Sequence, residues 1–204
     1  MSGQNHWQRV YESKAENEVS WFQVEPSTSL QLIKETGVAR SAKILDVGGG
    51  ASRLVDCLQE AGYTELGVLD ITDAGLATAR RRLGARANGV QWIVSDATNY
   101  DSEIRWDLWH DRAVFHFLVD ASDRVRYRQV LERAVAPHGQ VIIATFGTNG
   151  PERCSGLAVV RYGPKELGAE IGSAFTLRKS LTDDHHTPSG AVQEFLYCWF
   201  ERTG

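Results

Sequence analysis

Apolar and polar positions along the chain follow two alternating patterns, which predict strands and helices in turn. Short apolar runs predict five strands, at residues 43–47, 65–70, 90–94, 106–110 and 140–146. Apolar residues spaced three or four apart predict helices between them, at residues 51–62, 73–83 and 122–136. Asp73 is expected to cap the second helix, and Pro137 to end the third. This alternation predicts a largely parallel sheet with helices on both faces.

The segment before this repetition has a different character. Residues 4–15 and 27–36 predict two helices, and the aromatic segment 19–24 lies between them. No linker-like stretch separates this segment from the rest of the chain. We therefore expect one domain over residues 1–204.

The C-terminal third predicts a helix and two further strands. The helix covers residues 164–171 and starts at Pro164, a residue suited to a first turn. Residues 174–180 and 191–201 predict strands, and the polar segment 181–190 is expected to be the turn between them. Parallel units followed by a hairpin predict a mixed sheet with an antiparallel edge.

Composition and charge narrow the classes of protein. The chain has 204 residues, of which 42% are hydrophobic and 24% charged, as in globular proteins rather than disordered or fibrous ones. Its formal net charge of −4 gives no overall attraction to nucleic acid or anionic lipid, so neither is expected as a partner. No apolar run suits a membrane helix or a signal peptide, and a cytoplasmic location is expected.

Two features raise the question of a metal site. The three cysteines are widely spaced and form no C-x-x-C pair, which argues against a zinc ribbon or a disulfide framework. A second set of metal-binding residue types falls in the polar segment, at Asp183, Asp184, His185 and His186. Adjacent residues in a turn make a poor metal cage, so no metal is expected.

A glycine turn connects the first predicted strand to the helix after it. Gly48, Gly49 and Gly50 let the backbone approach a ligand closely, and the helix start offers free N–H donors. The dinucleotide fingerprint G-x-G-x-x-G is incomplete, because Arg53 stands where the third glycine would be. Asp46, two residues before the glycines, would repel a pyrophosphate but suits a cation. These features disfavour a nicotinamide dinucleotide.

Acidic residues follow three consecutive predicted strands. Asp46, Asp70 and Asp96 stand at strand ends, which meet at one edge of a parallel sheet. A carboxylate at the position of Asp70 can accept hydrogen bonds from both hydroxyls of a ribose, and Asp96 could hold an adenine amino group. The three acids together indicate a site for a cationic nucleoside.

The motifs occur in an order that resembles the class I S-adenosylmethionine-dependent methyltransferases over residues 40–200. LDVGGGAS, LDIT, SDAT and DLWHDRAVFHF resemble four motifs of that family, with Ser52 in place of one glycine. The resemblance implies an α/β Rossmann-like sandwich, with a seven-stranded mixed sheet of order 3-2-1-4-5-7-6 whose strand 7 is antiparallel. It implies S-adenosylmethionine as cofactor, a catalytic core over residues 41–204 and a helical cap over residues 1–40. The cofactor-binding residues that it implies are Asp46, Gly48, Gly49, Gly50, Asp70, Ile71, Asp96, Ala97 and His110.

An aromatic pattern near the N-terminus refines the resemblance. Trp7-x-x-x-Tyr11, followed by Trp21, is similar to a branch that includes protein-lysine methyltransferases and small bacterial relatives. In that branch the N-terminal segment covers the cofactor, and we expect Trp7, Tyr11 and Trp21 to contact the methyl acceptor. Alternatively, Trp7, Val10 and Tyr11 form the buried face of an amphipathic helix, and both roles are compatible.

Candidate catalytic groups lie at the end of the fourth strand. An acceptor that must lose a proton needs a base, and His110 and Asp111 are the candidates, with His116 one turn farther on. His110 could instead be a hydrogen-bonded wall of the methionine site, and Asp111 could orient an amine. Arg112 could pair with Asp111 or contact the acceptor.

Residues 147–162 follow the fifth strand at the expected ligand-binding edge, where loops often carry function. Candidate acceptor contacts here are Arg153, Cys154, Arg161 and Tyr162, and arginines suit an anionic group. A solvated loop without a function is the alternative.

We therefore expect a methyltransferase acting on a small molecule or a protein side chain. The acceptor atom stays open between nitrogen, oxygen and sulfur. A non-catalytic module that binds S-adenosylmethionine is the alternative, and a nicotinamide-dependent oxidoreductase is a more distant one.

Overall fold

A computed structural model describes residues 2–204, and one large sheet organises them. The strands are β1 (Lys43–Val47), β2 (Glu65–Asp70), β3 (Val90–Val94), β4 (Trp106–Arg112), β5 (Val135–Phe146), β6 (Arg153–Cys154), β7 (Leu157–Ala158), β8 (Phe175–His186) and β9 (Val192–Arg202). The helices are α1 (Ser2–Ser13), α2 (Ser27–Glu35), α3 (Leu54–Glu60), α4 (Asp73–Leu83), α5 (Ala121–Ala134) and α6 (Pro164–Ile171). No helix in this range is long and apolar enough to span a membrane.

The large sheet has the order β3-β2-β1-β4-β5-β9-β8. The pairs from β3 to β5 are parallel, whereas β9 runs antiparallel to both β5 and β8. Since β6 and β7 form a separate two-stranded hairpin, this is the expected order 3-2-1-4-5-7-6 with an antiparallel strand 7. The predicted fold class is confirmed.

Apolar side chains fill both faces of this sheet. On one face, Trp106, Trp109 and Tyr127 form a core with side chains from α5 and α6. On the other face, Leu32 and Leu54 pack with side chains of the central strands. Burying one such leucine contributes about 1.5–3 kcal/mol, so both layers hold the strand ends in a fixed relation.

Several predicted boundaries are wrong, each for a local reason. Helix α3 begins at Leu54 rather than residue 51, because the glycine turn continues to that point. Thr72, not Asp73, caps α4, since its hydroxyl accepts a hydrogen bond of 3.3 Å from the Gly75 amide. Helix α5 ends at Ala134, before Pro137, because β5 begins at the next residue.

The polar segment before β9 is the largest departure from the predicted elements. Residues 181–186, expected in a turn, continue β8, and Asp183 pairs with Phe195 of β9. Many β8 residues are solvent-exposed, because β8 is the edge strand, so polar side chains are tolerated there. The turn is confined to residues 187–191.

Candidate active site

The carboxyl ends of the central strands and the N-terminal segment enclose a cavity of about 560 Å³. This volume lies within the roughly 300–1,000 Å³ common for small-molecule sites. The residues expected from the sequence that line it are Trp7, Tyr11, Trp21, Gly48, Asp70, Ile71, Asp96, Ala97, Arg112 and Cys154. The structure thus brings the first three motifs and the N-terminal aromatic pattern to one place.

The glycine turn forms the floor between β1 and α3. Gly48 and Gly50 have positive φ angles of 66° and 37°, which disfavour other residues. A Cβ atom at Gly48 would lie 2.0 Å from Cγ2 of Val114, and one at Gly50 would lie 2.3 Å from the Tyr11 hydroxyl. Close approach of neighbouring groups therefore requires glycine at both positions.

Asp70 is the buried acid at the end of β2. Its Oδ1 atom accepts hydrogen bonds from the Thr72 amide at 2.9 Å and the Thr72 hydroxyl at 3.1 Å. Its Oδ2 atom accepts one from the Tyr11 hydroxyl at 3.3 Å. Burial raises the pKa of Asp70 to about 6, although these hydrogen bonds oppose the shift. Further donors to this carboxylate would therefore favour its charged form.

Asp96 and Ala97 lie at the end of β3, on the far side of the same cavity. Asp96 is exposed, and its Oδ1 atom accepts hydrogen bonds of 2.8 Å from both the amide and the hydroxyl of Thr98. These two bonds restrict the orientation of the carboxylate, which lines the cavity. Ala97 is buried beside it and adds an apolar surface.

Asp46 and His110 form a buried pair beneath the glycine turn. Asp46 lies opposite His110 in the β1–β4 register, and His110 Nδ1 is 2.8 Å from Asp46 Oδ1. The other ring nitrogen, Nε2, is 2.9 Å from the Ser29 hydroxyl of α2. Both ring nitrogens of His110 are thus engaged, whereas Oδ2 of Asp46 is buried without a partner.

Asp111 points to the opposite face of the sheet from His110. It is fully buried and accepts hydrogen bonds from the Tyr127 hydroxyl at 2.6 Å and from the Val114 and Phe115 amides. Burial raises its pKa to about 6 despite these donors. Asp111 does not line the cavity, and it organises the turn after β4.

Arg112 and an aromatic group lie at the end of the cavity nearest β4. The Trp7 ring meets the rings of Trp21 and Phe117 edge-on, at centroid distances of 5.6 and 5.0 Å. Arg112 makes no ion pair with Asp111; its guanidinium donates to the Trp21 carbonyl and the Tyr197 hydroxyl, each at 3.0 Å. His116, by contrast, is buried and accepts a hydrogen bond from the Phe146 amide.

The four candidate acceptor contacts that follow β5 lie in different environments. Cys154 lines the cavity. Arg153 is exposed and bonds the Gly156 carbonyl, whereas Tyr162 packs in the core against Phe115 at 5.6 Å. Arg161 pairs with Glu152 at 3.0 Å. Of these four residues, only Cys154 belongs to the cavity wall.

The N-terminal segment is attached to the rest by a network around Glu16. Its carboxylate contacts Arg53 at 2.6 Å and Arg82 at 2.7 Å, and Arg82 also pairs with Asp56 at 2.6 Å. Burial acts to raise the pKa of Glu16, but hydrogen bonds from both arginines outweigh it and lower the pKa. Sequence analysis missed Glu16 and Ser29, since their partners are 37 to 81 residues away in the chain.

Comparison with known families agrees with this geometry. A family model described as a methyltransferase domain matches residues 44–139, which carry the glycine turn, Asp70, Asp96 and His110. Over these residues, which are just under half of the chain, the chain is similar to S-adenosylmethionine-dependent methyltransferases. The resemblance and the cofactor expected from the sequence are thereby confirmed, and the family implies S-adenosylmethionine as methyl donor.

Individual members of the family are similar to this chain over different lengths. Malonyl-[acyl-carrier protein] O-methyltransferase 1 of Ilyobacter polytropus is 30% identical over 112 residues, which are 54% of this chain and 40% of that protein. The eEF1A lysine and N-terminal methyltransferase of Mus musculus is 22% identical over 80% of this chain and 23% of its own length. The chain thus spans less than half the length of these curated relatives.

A solved structure shares the whole fold. The 1,6-didemethyltoxoflavin-N1-methyltransferase of Burkholderia thailandensis, solved with its acceptor and S-adenosylhomocysteine, superposes with a TM-score of 0.71 at 20% identity. The superposition covers 100% of this chain and 85% of that one. This likeness shows the fold.

The residues present fit S-adenosylmethionine. The glycine turn gives the close backbone that the donor requires, and the unpartnered Oδ2 of Asp46 is an acceptor near that turn. Asp70 and Asp96 contribute carboxylates to the cavity wall, and Ile71 and Ala97 contribute apolar surfaces to it. No three His, Cys, Asp or Glu side chains within residues 2–204 are grouped to hold a metal ion.

Proposed function

We propose that the protein transfers the methyl group of S-adenosylmethionine to an acceptor in the cavity beside β4. The observation that carries the proposal is the common cavity shared by the glycine turn, Asp70, Asp96 and the N-terminal aromatic residues. When bound, S-adenosylmethionine supplies a methyl carbon already activated by its sulfonium, so the protein must mainly align donor and acceptor.

We infer that the cofactor residues divide the work along the cavity. Asp70 would accept hydrogen bonds from the ribose hydroxyls, and Ile71 and Ala97 would enclose the adenine, whose amino group would face Asp96. Gly48, Gly49 and Gly50 would admit the methionine part, and Asp46 would favour its positive charge. The contacts described above support these roles, because all of these residues except Gly50 line the cavity or the smaller space beneath the glycine turn. Gly50 lies beside them, since a Cβ atom there would be 2.8 Å from Oδ2 of Asp70.

We infer that His110 and Asp111 are positioning residues, not bases. Both nitrogens of His110 are occupied by Asp46 and Ser29. All the hydrogen-bond partners of the Asp111 carboxylate lie in the turn after β4 and in α5. An acceptor in this cavity must then arrive as a competent nucleophile, which favours acceptors that need no proton removed by the protein.

We propose that Trp7, Tyr11, Trp21 and Arg112 border the acceptor, with residues 1–40 as the cap and 41–204 as the core. The acceptor can be a small molecule or a protein side chain: one similar protein is named for a carrier-bound malonyl group and another for a lysine. The net charge of −4 supports a protein that binds neither nucleic acid nor membrane, and the three free cysteines support a cytoplasmic location.

Calorimetry and turnover test the proposal. S-adenosylhomocysteine and S-adenosylmethionine should bind, and NAD should not. Release of S-adenosylhomocysteine with a panel of metabolites and with a protein extract should then reveal turnover. Binding without turnover on any acceptor would favour the non-catalytic module, and NAD binding would contradict the family's cofactor.

A further inference from the structure

Arg112 carries a charge for which the surrounding structure provides no counter-charge. Its Nε atom donates to the Tyr197 hydroxyl and Nη1 to the Trp21 carbonyl, while its Cζ atom lies 4.4 Å from the centre of the Phe195 ring. Its Nη2 atom is buried and has no partner. Within residues 2–204, no carboxylate lies within ion-pair distance of this guanidinium.

The acids that share with Arg112 the smaller space beneath the glycine turn are engaged elsewhere: Asp46 contacts His110, and Glu16 pairs with Arg53 and Arg82. Three further titratable groups near the guanidinium, His116, His185 and Cys154, are neutral at neutral pH. Burial, followed by the nearby guanidinium, lowers the pKa of His116 to about 3 and also lowers the pKa of His185. Burial raises the pKa of the Cys154 thiol, so it carries no negative charge at neutral pH. A partly buried cation among neutral groups is costly unless an anion binds beside it.

A second arginine of the same cavity makes the contrast clear. Arg126 also lines the cavity, but its guanidinium is paired with Asp123. Arg112 lines both this cavity and the smaller space beneath the glycine turn, so its side chain borders both spaces. The neighbouring wall consists of the aromatic rings of Trp7, Trp21 and Phe117.

We propose that Arg112 and these three aromatic rings form an anion subsite for the methyl acceptor, which is a carboxylate with an apolar or aromatic body. The inference rests on the proposed function and specifies its substrate class. The Nη2 atom, which has no partner, can donate a charge-assisted hydrogen bond to a carboxylate, and the rings can pack against the apolar body of the acceptor. A cationic amine is excluded from this end by repulsion from Arg112.

Binding measured without turnover tests the subsite. Calorimetry on the protein saturated with S-adenosylhomocysteine would compare benzoate, phenylacetate and hexanoate with their amides. In at least one of the three acid–amide pairs, the carboxylate should bind at least about tenfold more tightly than its amide. The reason is that a charge-assisted hydrogen bond to a buried group is worth about 1.5–3 kcal/mol. If the carboxylate binds no more tightly than the amide in all three pairs, the proposal is overturned.

Variants test whether Arg112 causes the preference for a carboxylate over its amide. Arg112→Met should abolish this preference, and Arg112→Lys should retain part of it. The control Arg126→Met should leave it unchanged. A preference that persists in a folded Arg112→Met protein would overturn the proposal. If that variant unfolds, the comparison of ligands on the unaltered protein decides.

The same guanidinium could serve the carboxylate of the methyl donor instead, and a separate comparison tells the two apart. S-adenosylhomocysteine carries that carboxylate, whereas 5′-methylthioadenosine lacks it. If Arg112→Met binds S-adenosylhomocysteine more weakly but 5′-methylthioadenosine equally well, Arg112 serves the donor, and the acceptor subsite is overturned. Failure of S-adenosylhomocysteine to bind the unaltered protein would instead reject the proposed function itself.

Discussion

The hydroxyl of Tyr11 donates a hydrogen bond of 3.3 Å to Oδ2 of Asp70, across 59 positions of the chain. This bond joins the N-terminal helix to the acid that we assign to the ribose. Asp70 has a pKa raised by burial to about 6, and the bond from Tyr11 limits that rise. The charged form that a ribose requires thus depends partly on a residue of the N-terminal helix.

Cofactor affinity should accordingly depend on pH. As the pH falls through about 6, Asp70 gains a proton and loses acceptor capacity, so S-adenosylhomocysteine should bind more weakly below that pH than at pH 8. Tyr11→Phe should move this midpoint upward, because one hydrogen bond that favours the charged form is lost. Asp70→Asn should weaken binding by about 1–3 kcal/mol and remove the midpoint. Calorimetry between pH 5 and pH 8 gives all three curves, and an unchanged midpoint in Tyr11→Phe would contradict the assignment.

The glycine turn can be tested against a matched glycine elsewhere. Gly50→Ala places a methyl group 2.3 Å from the Tyr11 hydroxyl and 2.8 Å from Asp70 Oδ2, so both groups must move. We expect about a tenfold or greater loss of S-adenosylhomocysteine affinity. Gly62→Ala is the control, since Gly62 also has a positive φ angle, 89°, but no atom lies within 4 Å of its added Cβ. Equal losses in the two variants would mean that backbone strain alone is responsible.

The ion pairs of Glu16 should hold the N-terminal segment in place. Glu16→Gln removes the charge opposite Arg53 and Arg82, and the partly exposed pairs are worth about 1 kcal/mol or less each. Limited proteolysis at neutral pH should cut residues 2–15 faster in the variant, and this difference should disappear as the pH falls far enough to protonate Glu16 of the unaltered protein, whose pKa is lowered by the two arginines. Glu12→Gln is the control, because Glu12 contacts Gln8 of its own helix. Equal cleavage of both variants would show that packing alone holds the segment.

Ser29 should contribute to stability rather than to chemistry. Ser29→Ala leaves Nε2 of the buried His110 without its partner at 2.9 Å, which should lower the free energy of unfolding by about 1–3 kcal/mol. Urea denaturation measures this loss, with Ser27→Ala at the exposed start of α2 as the control. Once an acceptor is known, the pH profile of turnover should be the same for Ser29→Ala as for the unaltered protein. A shifted profile would indicate that His110 takes part in proton transfer.

Local patterns were sufficient to predict the central fold. Strands β1, β2 and β3 occupy the residues predicted from their apolar runs, because each run is short, buried and bounded by turn residues. Strand β8 was underestimated, because Asp183 to His186 have polar side chains typical of a turn. Their strand conformation comes from pairing with β9, which a local pattern does not contain.

Some site residues could be predicted from local patterns, whereas others depend on partners far away in the chain. Asp70 and Asp96 follow strands, so their common edge is a consequence of parallel topology. The environment of His110 depends on Ser29, 81 residues away, and only the folded chain reveals that both its ring nitrogens are engaged. Tyr162 belongs to the core because its loop turns back from β5, a course that neither composition nor periodicity indicates.

The two ends of the cavity are built from different parts of the chain. The end assigned to the donor comes from the tips of β1, β2 and β3, whereas the opposite end combines Trp7 and Trp21 with Arg112 and Cys154. Apart from Tyr11, which contacts Asp70, residues of the opposite end can therefore change during evolution without disturbing the nucleoside contacts. Descendants of one ancestral enzyme could change substrates in this way while keeping the same chemistry. An engineer could likewise exchange residues 148–160 to alter the acceptor.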